Sequence, residues 1–342
     1  MPKPHIYFSA LAAATMVATA ALAGTVFGAG ATFPYPLYAT WAEAYRKESG
    51  VGLNYQSIGS GGGIAQIKAG TVTFGATDIA LGRGDLDKIG IVQFPAIIGA
   101  TVPIVHLDGV APGRLILSGP VLAGIYRGKI YRWDDPAIKK LNPGLTLPAK
   151  AIAVVTRADG SGTAYNFTAY LSRFDPTWRA QVGVRASIDW PVGIGAKGSE
   201  GVASMVTRTT GAIGFVEYTF AKQNRLTFTR LINHDGKAVA PTAGGFAAAA
   251  TSLDWRAAEK AGFSVDLLDR PGAASWPLVS PTYILMRRQP NNAADSKATL
   301  VFFAWAFAKG DTMAAKLDYI PLPAPAKQTV KESWKQVRGS GF

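Results

Sequence analysis

The chain has 342 residues and a formal net charge of +13, from 35 basic and 22 acidic residues. It has no cysteine, which excludes disulfides, cysteine-ligated zinc, a thiol nucleophile and a cysteine-linked lipid. Its three histidines, His5, His106 and His234, lack metal-ligand spacing, so we predict neither a metal nor a cofactor. The length suggests about two domains, and a hydrophobic fraction of 48% is enough for a large core.

The positive charge is scattered along the chain. The longest basic runs are pairs such as Lys139-Lys140 and Arg287-Arg288, whereas nucleic-acid binders usually gather charge in a stripe or an arm. An ordinary soluble basic surface is therefore the favoured interpretation. Binding to nucleic acid or to a cell surface is the alternative, and we predict no nucleic-acid partner.

Residues 1–23 have the pattern of an export signal. Lys3 precedes an apolar, alanine-rich stretch that ends in Ala21-Leu22-Ala23, and a basic start followed by such a stretch is typical of a secretory signal peptide. An uncleaved membrane anchor is the alternative, but the apolar stretch is shorter than the ~20 residues of a spanning helix. We predict cleavage near Ala23 and a soluble periplasmic protein.

Beyond that signal the sequence alternates between strand and helix patterns. In chain order it predicts a strand over 51–58, a loop over 59–63, a helix over 64–69 ending at Gly70, strands over 72–76 and 151–155, a helix over 164–171, a strand over 212–216 and a helix over 298–308. This order predicts an α/β protein with open, parallel sheets. Such sheets bind ligands beyond the carboxyl ends of their strands.

The segment from Gly28 to Pro34 predicts the start of a helix. Pro34 suits a first turn, and the apolar residues that follow it fall on one face: Leu37, Trp41, Ala44 and Tyr45. Thr32 and Phe33 therefore lie at a helix N-terminus with free backbone N–H groups. A plain helix cap is the alternative.

The second loop, Gly59-Ser60-Gly61-Gly62-Gly63, lies between a predicted strand and a predicted helix. Its glycines let the backbone approach a ligand, and Ser60 adds a hydroxyl, so the loop suits an anion. It lacks the Gly-Lys-Ser/Thr ending of a P-loop, which leaves nucleotide hydrolysis unsupported. A flexible turn is the alternative.

The third loop, from Arg157 to Thr163, is the most specific. Ser161, Gly162 and Thr163 offer backbone N–H groups and two hydroxyls at a helix start. The guanidinium of Arg157 fits a tetrahedral oxyanion, and Asp159 is spaced to orient it. A surface turn is the alternative.

Asp78 follows the predicted strand over 72–76. A carboxylate is unfavourable in an anion site unless the anion carries a proton that the carboxylate can accept. Phosphate at neutral pH carries such a proton and sulfate does not, so Asp78 would favour phosphate. A turn aspartate at a strand end is the alternative.

These segments together resemble the periplasmic phosphate-binding proteins of high-affinity phosphate ABC transporters, over essentially the whole mature chain. Further matching stretches are residues 130–135, 141–145, 211–218 and 317–319. One position departs from the family: Ala80 stands where the family usually has proline two residues after the aspartate.

The resemblance implies a type II-like periplasmic binding protein fold, with two α/β lobes joined by a two-stranded hinge. One lobe would comprise residues 24–106 and 281–342, and the other residues 107–280. Phosphate would lie dehydrated in the cleft between the lobes. Its ligands would be Thr32, Phe33 (through its N–H group), Ser60, Asp78, Arg157, Ser161, Gly162 and Thr163, with Asp159 holding Arg157.

The resemblance also implies closure of the lobes rather than catalysis. The protein would act as a monomer that delivers phosphate to permease subunits of a transporter with a cytoplasmic ATPase. An enzyme is the first alternative, but Ser60 and Ser161 lack a nucleophile-elbow context, and residues 193–198 match G-x-G-x-x-G only as a predicted loop. A receptor for sulfate or molybdate is the second alternative.

Overall fold

Twelve strands and fourteen α-helices fall within residues 26–251 and 253–342, which are the residues that the computed structural model describes. The predicted export signal lies outside these residues. The strands are β1 (Val26–Gly30), β2 (Leu53–Ser57), β3 (Phe74–Thr77), β4 (Ile91–Val105), β5 (Ile116–Leu117), β6 (Ala153–Arg157), β7 (Ile194–Ala196), β8 (Ala212–Glu217), β9 (Thr227–Phe228), β10 (Arg230–Ile232), β11 (Ala238–Val239) and β12 (Val279–Arg287).

The helices connect these strands and cover the sheet. They are α1 (Tyr35–Ser49), α2 (Ser60–Ala69), α3 (Arg83–Ile89), α4 (Gly119–Tyr126), α5 (Pro136–Leu141), α6 (Gly162–Phe174), α7 (Pro176–Gln181), α8 (Gly198–Arg208), α9 (Tyr218–Gln223), α10 (Ala243–Ala250), α11 (Trp255–Lys260), α12 (Ala293–Lys309), α13 (Asp311–Lys316) and α14 (Ala324–Ser333). A short 3-10 helix covers Trp334–Gln336. No helix among the described residues is both long and apolar enough to cross a bilayer.

Each strand and helix predicted from the sequence is found, with its ends moved by a few residues. The predicted loop over 59–63 is wrong, because α2 begins at Ser60. Tight packing explains why this glycine-rich segment is helical despite its low helix propensity. A side chain at Gly63 would lie 2.6 Å from the carbonyl oxygen of Ala76 and from Cα of Gly30, so only glycine lets α2 approach the strands.

The predicted loop over 193–198 is also wrong. Residues Ile194–Ala196 form β7, which pairs in parallel with β6, and α8 begins at Gly198. The strand has three residues and Ile194 is exposed, so its sequence lacks the length and alternation that reveal a strand.

The main sheet has the strand order β2-β1-β3-β12-β4-β8-β6-β7, with β9 also paired to β4. Strand β4 is buried throughout and lies in the middle of this sheet, where it connects the two halves. Its residues 91–100 pair with β12, and residues 101–105 pair with β8. The three strands β1, β2 and β3 are parallel at one end, and β6, β7 and β8 are parallel at the other.

The carboxyl ends of both groups of parallel strands lead into the segments predicted to bind an anion. Strands β1, β2 and β3 lead to Thr32, Ser60 and Asp78. Strand β6 leads to the loop that begins at Arg157 and ends at α6. The fold therefore brings two sets of strand ends to one place, as expected of a ligand site in an open α/β sheet.

Helix α11 and Gly262 pack across the predicted lobe boundary. Helix α11 contacts α14, and the Gln93 side chain donates a 2.6 Å hydrogen bond to the carbonyl of Gly262. The division into residues 24–106 with 281–342 and residues 107–280 remains a prediction.

Candidate functional site

Helix α6 begins with a side-chain cap. The Ser161 hydroxyl accepts a 3.0 Å hydrogen bond from the N–H group of Ala164, which leaves the hydroxyl proton free to donate. The N–H group of Ser161 donates to the carbonyl of Ala186 at 2.9 Å, so the sequence-based expectation that this N–H group faces an anion is wrong. The N–H groups of Gly162 and Thr163 lie in the first turn, where a helix supplies no acceptor.

Arg157 is held in place by Asp159. Its Nε and Nη2 atoms donate to the two carboxylate oxygens at 2.8 and 2.6 Å. The N–H group of Gly198 donates to the same carboxylate at 2.9 Å. The third guanidinium nitrogen, Nη1, is buried and has no hydrogen-bond partner among the described residues. A buried charged donor without an acceptor is costly, so Arg157 has donor capacity that the protein leaves unused.

The hydrogen-bond partners of the Asp159 carboxyl favour its ionised form. Burial disfavours its charged form, but the hydrogen bonds and charge of Arg157 and the bond from Gly198 outweigh burial and hold its pKa below the ordinary value. Asp159 is therefore negatively charged at neutral pH, where it orients Arg157.

Asp78 is buried among neutral donors. Its Oδ1 accepts a 2.6 Å hydrogen bond from the Thr282 hydroxyl on β12, and its Oδ2 lies 3.4 Å from the Ser60 hydroxyl. The Asp78 N–H group donates to Ser60 Oγ at 3.1 Å. Burial raises the pKa of Asp78 from 3.8 to about 7, although the Thr282 bond, the charge of Arg157 and the Ser60 bond each lower it. This carboxyl can exchange a proton near neutral pH.

Thr32 and Phe33 form the turn before α1. The Thr32 hydroxyl shares a 3.2 Å hydrogen bond with the hydroxyl of Ser199 at the start of α8. The carbonyl of Phe33 accepts a 2.6 Å hydrogen bond from the Tyr319 hydroxyl. Among the described residues, neither α1 nor α2 has a side-chain cap, so the N–H groups at both helix starts lack the usual side-chain acceptor.

The loops from the two ends of the sheet meet at this place. The N–H group of Gly61 donates to the carbonyl of Gly160 at 2.8 Å. A Cβ added to Gly162 would lie 2.4 Å from Ser60 Oγ and 2.9 Å from Asp78 Oδ2. Contacts this close show that the start of α6 rests directly on the Ser60 and Asp78 side chains.

The structure thus brings all the sequence-predicted site residues together. The sequence reasoning missed three polar side chains around them: Thr282, Ser199 and Tyr319. Thr282 and Tyr319 lie in segments that resemble no anion loop. Ser199 directly follows the G-x-G-x-x-G match over 193–198, so that match was the one sequence signal near it. No group of three or more potential metal-ligating side chains occurs within residues 26–251 and 253–342.

Comparison with known proteins first defines the class. The profile of the PBP superfamily domain matches residues 16–309. A phosphate-binding protein from Stenotrophomonas maltophilia superposes with a TM-score of 0.71 at 19% identity, covering 93% of this chain and 99% of that one. The predicted two-lobe periplasmic binding protein fold is confirmed.

The family follows from closer relatives. The phosphate-binding protein PstS of Haemophilus influenzae is 48% identical over 92% of this chain and 94% of its own length. The PstS protein of Xylella fastidiosa strain 9a5c is 47% identical over 90% of this chain and 84% of its own. The chain belongs to the PstS family of phosphate-binding proteins.

Proposed function

We propose that this chain binds inorganic phosphate at the meeting point of its two sets of strand ends. The observation that carries the proposal is the buried Nη1 of Arg157, a charged donor with no partner among the described residues. Arg157 ends β6, before the loop that leads to α6, and its charge is close enough to Asp78 to lower the pKa of that carboxyl. Phosphate would accept from Arg157 and from the N–H groups of Gly162 and Thr163.

The opposite face of the anion would be bound by Thr32, Phe33, Ser60 and Asp78. The N–H groups of Phe33 and Ser60, at the starts of α1 and α2, would supply neutral donors, and neutral donors can bind a dry anion without adding net charge. The free proton of the Ser161 hydroxyl adds one more donor from α6. Asp78 would accept the proton that phosphate retains, which a fully ionised sulfate lacks.

Transport rather than catalysis is the proposed role. The relatives are named phosphate-binding proteins, and a monomeric receptor of this family would pass its ligand to the permease of an ABC transporter driven by a cytoplasmic ATPase. Binding would close two lobes about a hinge formed by β4 and the chain entering β12. Thr101 and Leu278 are joined there by a 2.9 Å backbone hydrogen bond. The proposed location is the periplasm, after cleavage of the export signal.

The proposal is tested by calorimetric titration of purified protein lacking residues 1–23. Phosphate is expected to bind with 1:1 stoichiometry at neutral pH, while equimolar sulfate gives no signal. The matched variant Asp134→Asn, which alters an exposed carboxylate paired with Arg132, should bind as the unmodified protein does. Absence of phosphate binding, or equal binding of sulfate, would contradict the proposal.

A further inference from the structure

Two segments that the proposed anion site does not use meet beside it. The first is the end of β8, where Glu217 precedes α9. The second is Leu317–Tyr319, which follows α13. They are far apart in sequence and belong to the two regions of chain that the lobe prediction separates.

Side chains join these segments directly. The Thr219 hydroxyl donates to the carbonyl of Leu317, and Lys222 Nζ lies 2.6 Å from Asp318 Oδ2. Asp318 has a φ of +58°, the left-handed conformation that commonly follows the end of a helix. The N–H groups of Asp318 and Tyr319 each donate a 3.0 Å hydrogen bond to a carbonyl at the end of α13, which fixes the turn that leads into Tyr319.

Tyr319 is buried and contacts Phe33, one of the proposed phosphate ligands. Its hydroxyl donates a 2.6 Å hydrogen bond to the carbonyl of Phe33, and its ring packs edge-on against the Phe33 ring with centroids 6.2 Å apart. The next residue is fixed as well, because Ile320 and Ile98 exchange backbone hydrogen bonds of 2.8 and 3.1 Å. The chain that follows Tyr319 is therefore fixed to β4.

Glu217 lies near the same hydroxyl, and burial together with this carboxyl raises the pKa of Tyr319. The two Glu217 oxygens accept hydrogen bonds from the N–H groups of Thr219 and Phe220 at 2.6 and 2.8 Å. Burial raises the pKa of Glu217 from 4.5 to about 8, against the lowering effect of these bonds. Glu217 therefore fixes the start of α9 beside Thr219, whose hydroxyl contacts Leu317.

We propose that Tyr319 is a positioning residue for phosphate binding, which orients the Phe33 turn through its hydrogen bond to the Phe33 carbonyl and its ring contact with Phe33. The inference rests on the proposed function and extends it. Because the Tyr319 hydroxyl fixes the Phe33 carbonyl, the N–H groups of the turn face the anion without rotating.

The test is Tyr319→Phe, which removes one oxygen and keeps the ring. Phosphate Kd is expected to rise about fivefold to tenfold, the usual effect of losing one buried hydrogen bond, and mainly through faster dissociation. Stopped-flow dissociation and the 15N signal of the Phe33 amide in the phosphate complex are the readouts. A changed Phe33 signal distinguishes positioning from a general loss of stability.

Two further variants are compared. Thr219→Val removes the bond to Leu317 but leaves Tyr319 in place; it should lower stability without moving the Phe33 signal. Tyr126→Phe alters a fully buried tyrosine whose hydroxyl has no partner among the described residues and should change neither readout. An unchanged Kd and Phe33 signal in Tyr319→Phe, or equal effects of Thr219→Val, would overturn the inference alone. Failure of the unmodified protein to bind phosphate would overturn the proposed function and the inference with it.

Discussion

Asp78 and Asp159 lie on opposite sides of the candidate site, and their surroundings shift their pKa values in opposite directions. Asp159 is paired with Arg157 and with the Gly198 N–H group, which together hold its pKa below the ordinary value despite partial burial. Asp78 is more deeply buried, and burial raises its pKa to about 7 although the hydrogen bonds from the neutral hydroxyls of Thr282 and Ser60 lower it.

The difference shows that one residue type performs two tasks under control of its environment. A carboxylate in direct contact with a guanidinium stays charged and serves as a support for it. A carboxylate among hydroxyls stays close to its protonation midpoint and can share a proton with a ligand. In the proposed phosphate complex, Asp159 acts only through Arg157, whereas Asp78 contacts the anion and selects it.

The largest expected effect is on phosphate affinity, when Arg157, the partner of Asp159, is removed. Arg157→Ala removes the buried Nη1 donor and leaves Asp159 with the Gly198 N–H group. Because loss of one member of a buried charge pair is severe, phosphate Kd should rise about 100-fold or more. Isothermal titration measures it.

The matched control uses the exposed pair Arg132–Asp134, which has the same two-residue spacing and a 2.9 Å contact. Arg132→Ala should leave the phosphate Kd unchanged. If Arg157→Ala retained phosphate affinity within threefold, the assignment of Arg157 to the site would be wrong.

A second prediction concerns the stability of the phosphate-free protein. The folded pKa of Asp78 is about 7 against 3.8 in its ordinary state, and that of Glu217 is about 8 against 4.5. Between the ordinary and the folded pKa of each group, the folded state binds more protons than the unfolded state. The free energy of unfolding therefore falls as pH rises and levels off above the folded pKa. From about pH 5 to about pH 7 the Asp78 contribution should be on the order of 2 kcal/mol.

Asp78→Asn should remove this contribution and leave the slope that Glu217 produces, which is of similar size because the pKa shift of Glu217 is as large. Urea unfolding at several pH values measures both. Asp134→Asn, at an exposed carboxylate, should keep the slope of the unmodified protein. A slope that Asp78→Asn does not change would show that Asp78 is ionised in the phosphate-free protein, as Asp159 is.

The smallest predicted effect is on anion selectivity. Asp78→Asn replaces a carboxylate that repels sulfate with a neutral amide that can donate to it. The ratio of sulfate Kd to phosphate Kd should therefore fall about tenfold or more. Competition titrations of both anions against the variant provide the ratio, and a ratio equal to that of the unmodified protein would remove Asp78 from the account of selectivity.

The two sides of the site also differed in how far the sequence could predict them. Arg157 and Asp159 are two residues apart, so a local pattern predicted their contact. Asp78 and Thr282 are 204 positions apart, and Phe33 and Tyr319 are 286 apart. Such pairs are made by the return of β12 and the carboxyl-terminal chain to the first strands, which no single segment encodes.

Local patterns also predicted the strands and helices better than the loops. The segment over 59–63 was predicted as a loop because glycine is unfavourable in helices. In the fold, glycine at position 63 is what allows α2 to lie against Ala76 and Gly30. Packing against distant backbone therefore decides the conformation there, and the sequence of the segment does not reveal it.

The most direct test of the account is a titration of the Asp78 and Asp159 side-chain carbons by 13C NMR, with assignments from Asp78→Asn and Asp159→Asn. In phosphate-free protein, Asp78 should titrate near pH 7, whereas Asp159 should titrate below the ordinary pKa of an aspartate. Addition of phosphate at neutral pH should move the Asp78 signal far more than that of Asp159. If Asp159 titrated above Asp78, or phosphate left the Asp78 signal unmoved, the proposed division of roles between the two carboxylates would be contradicted.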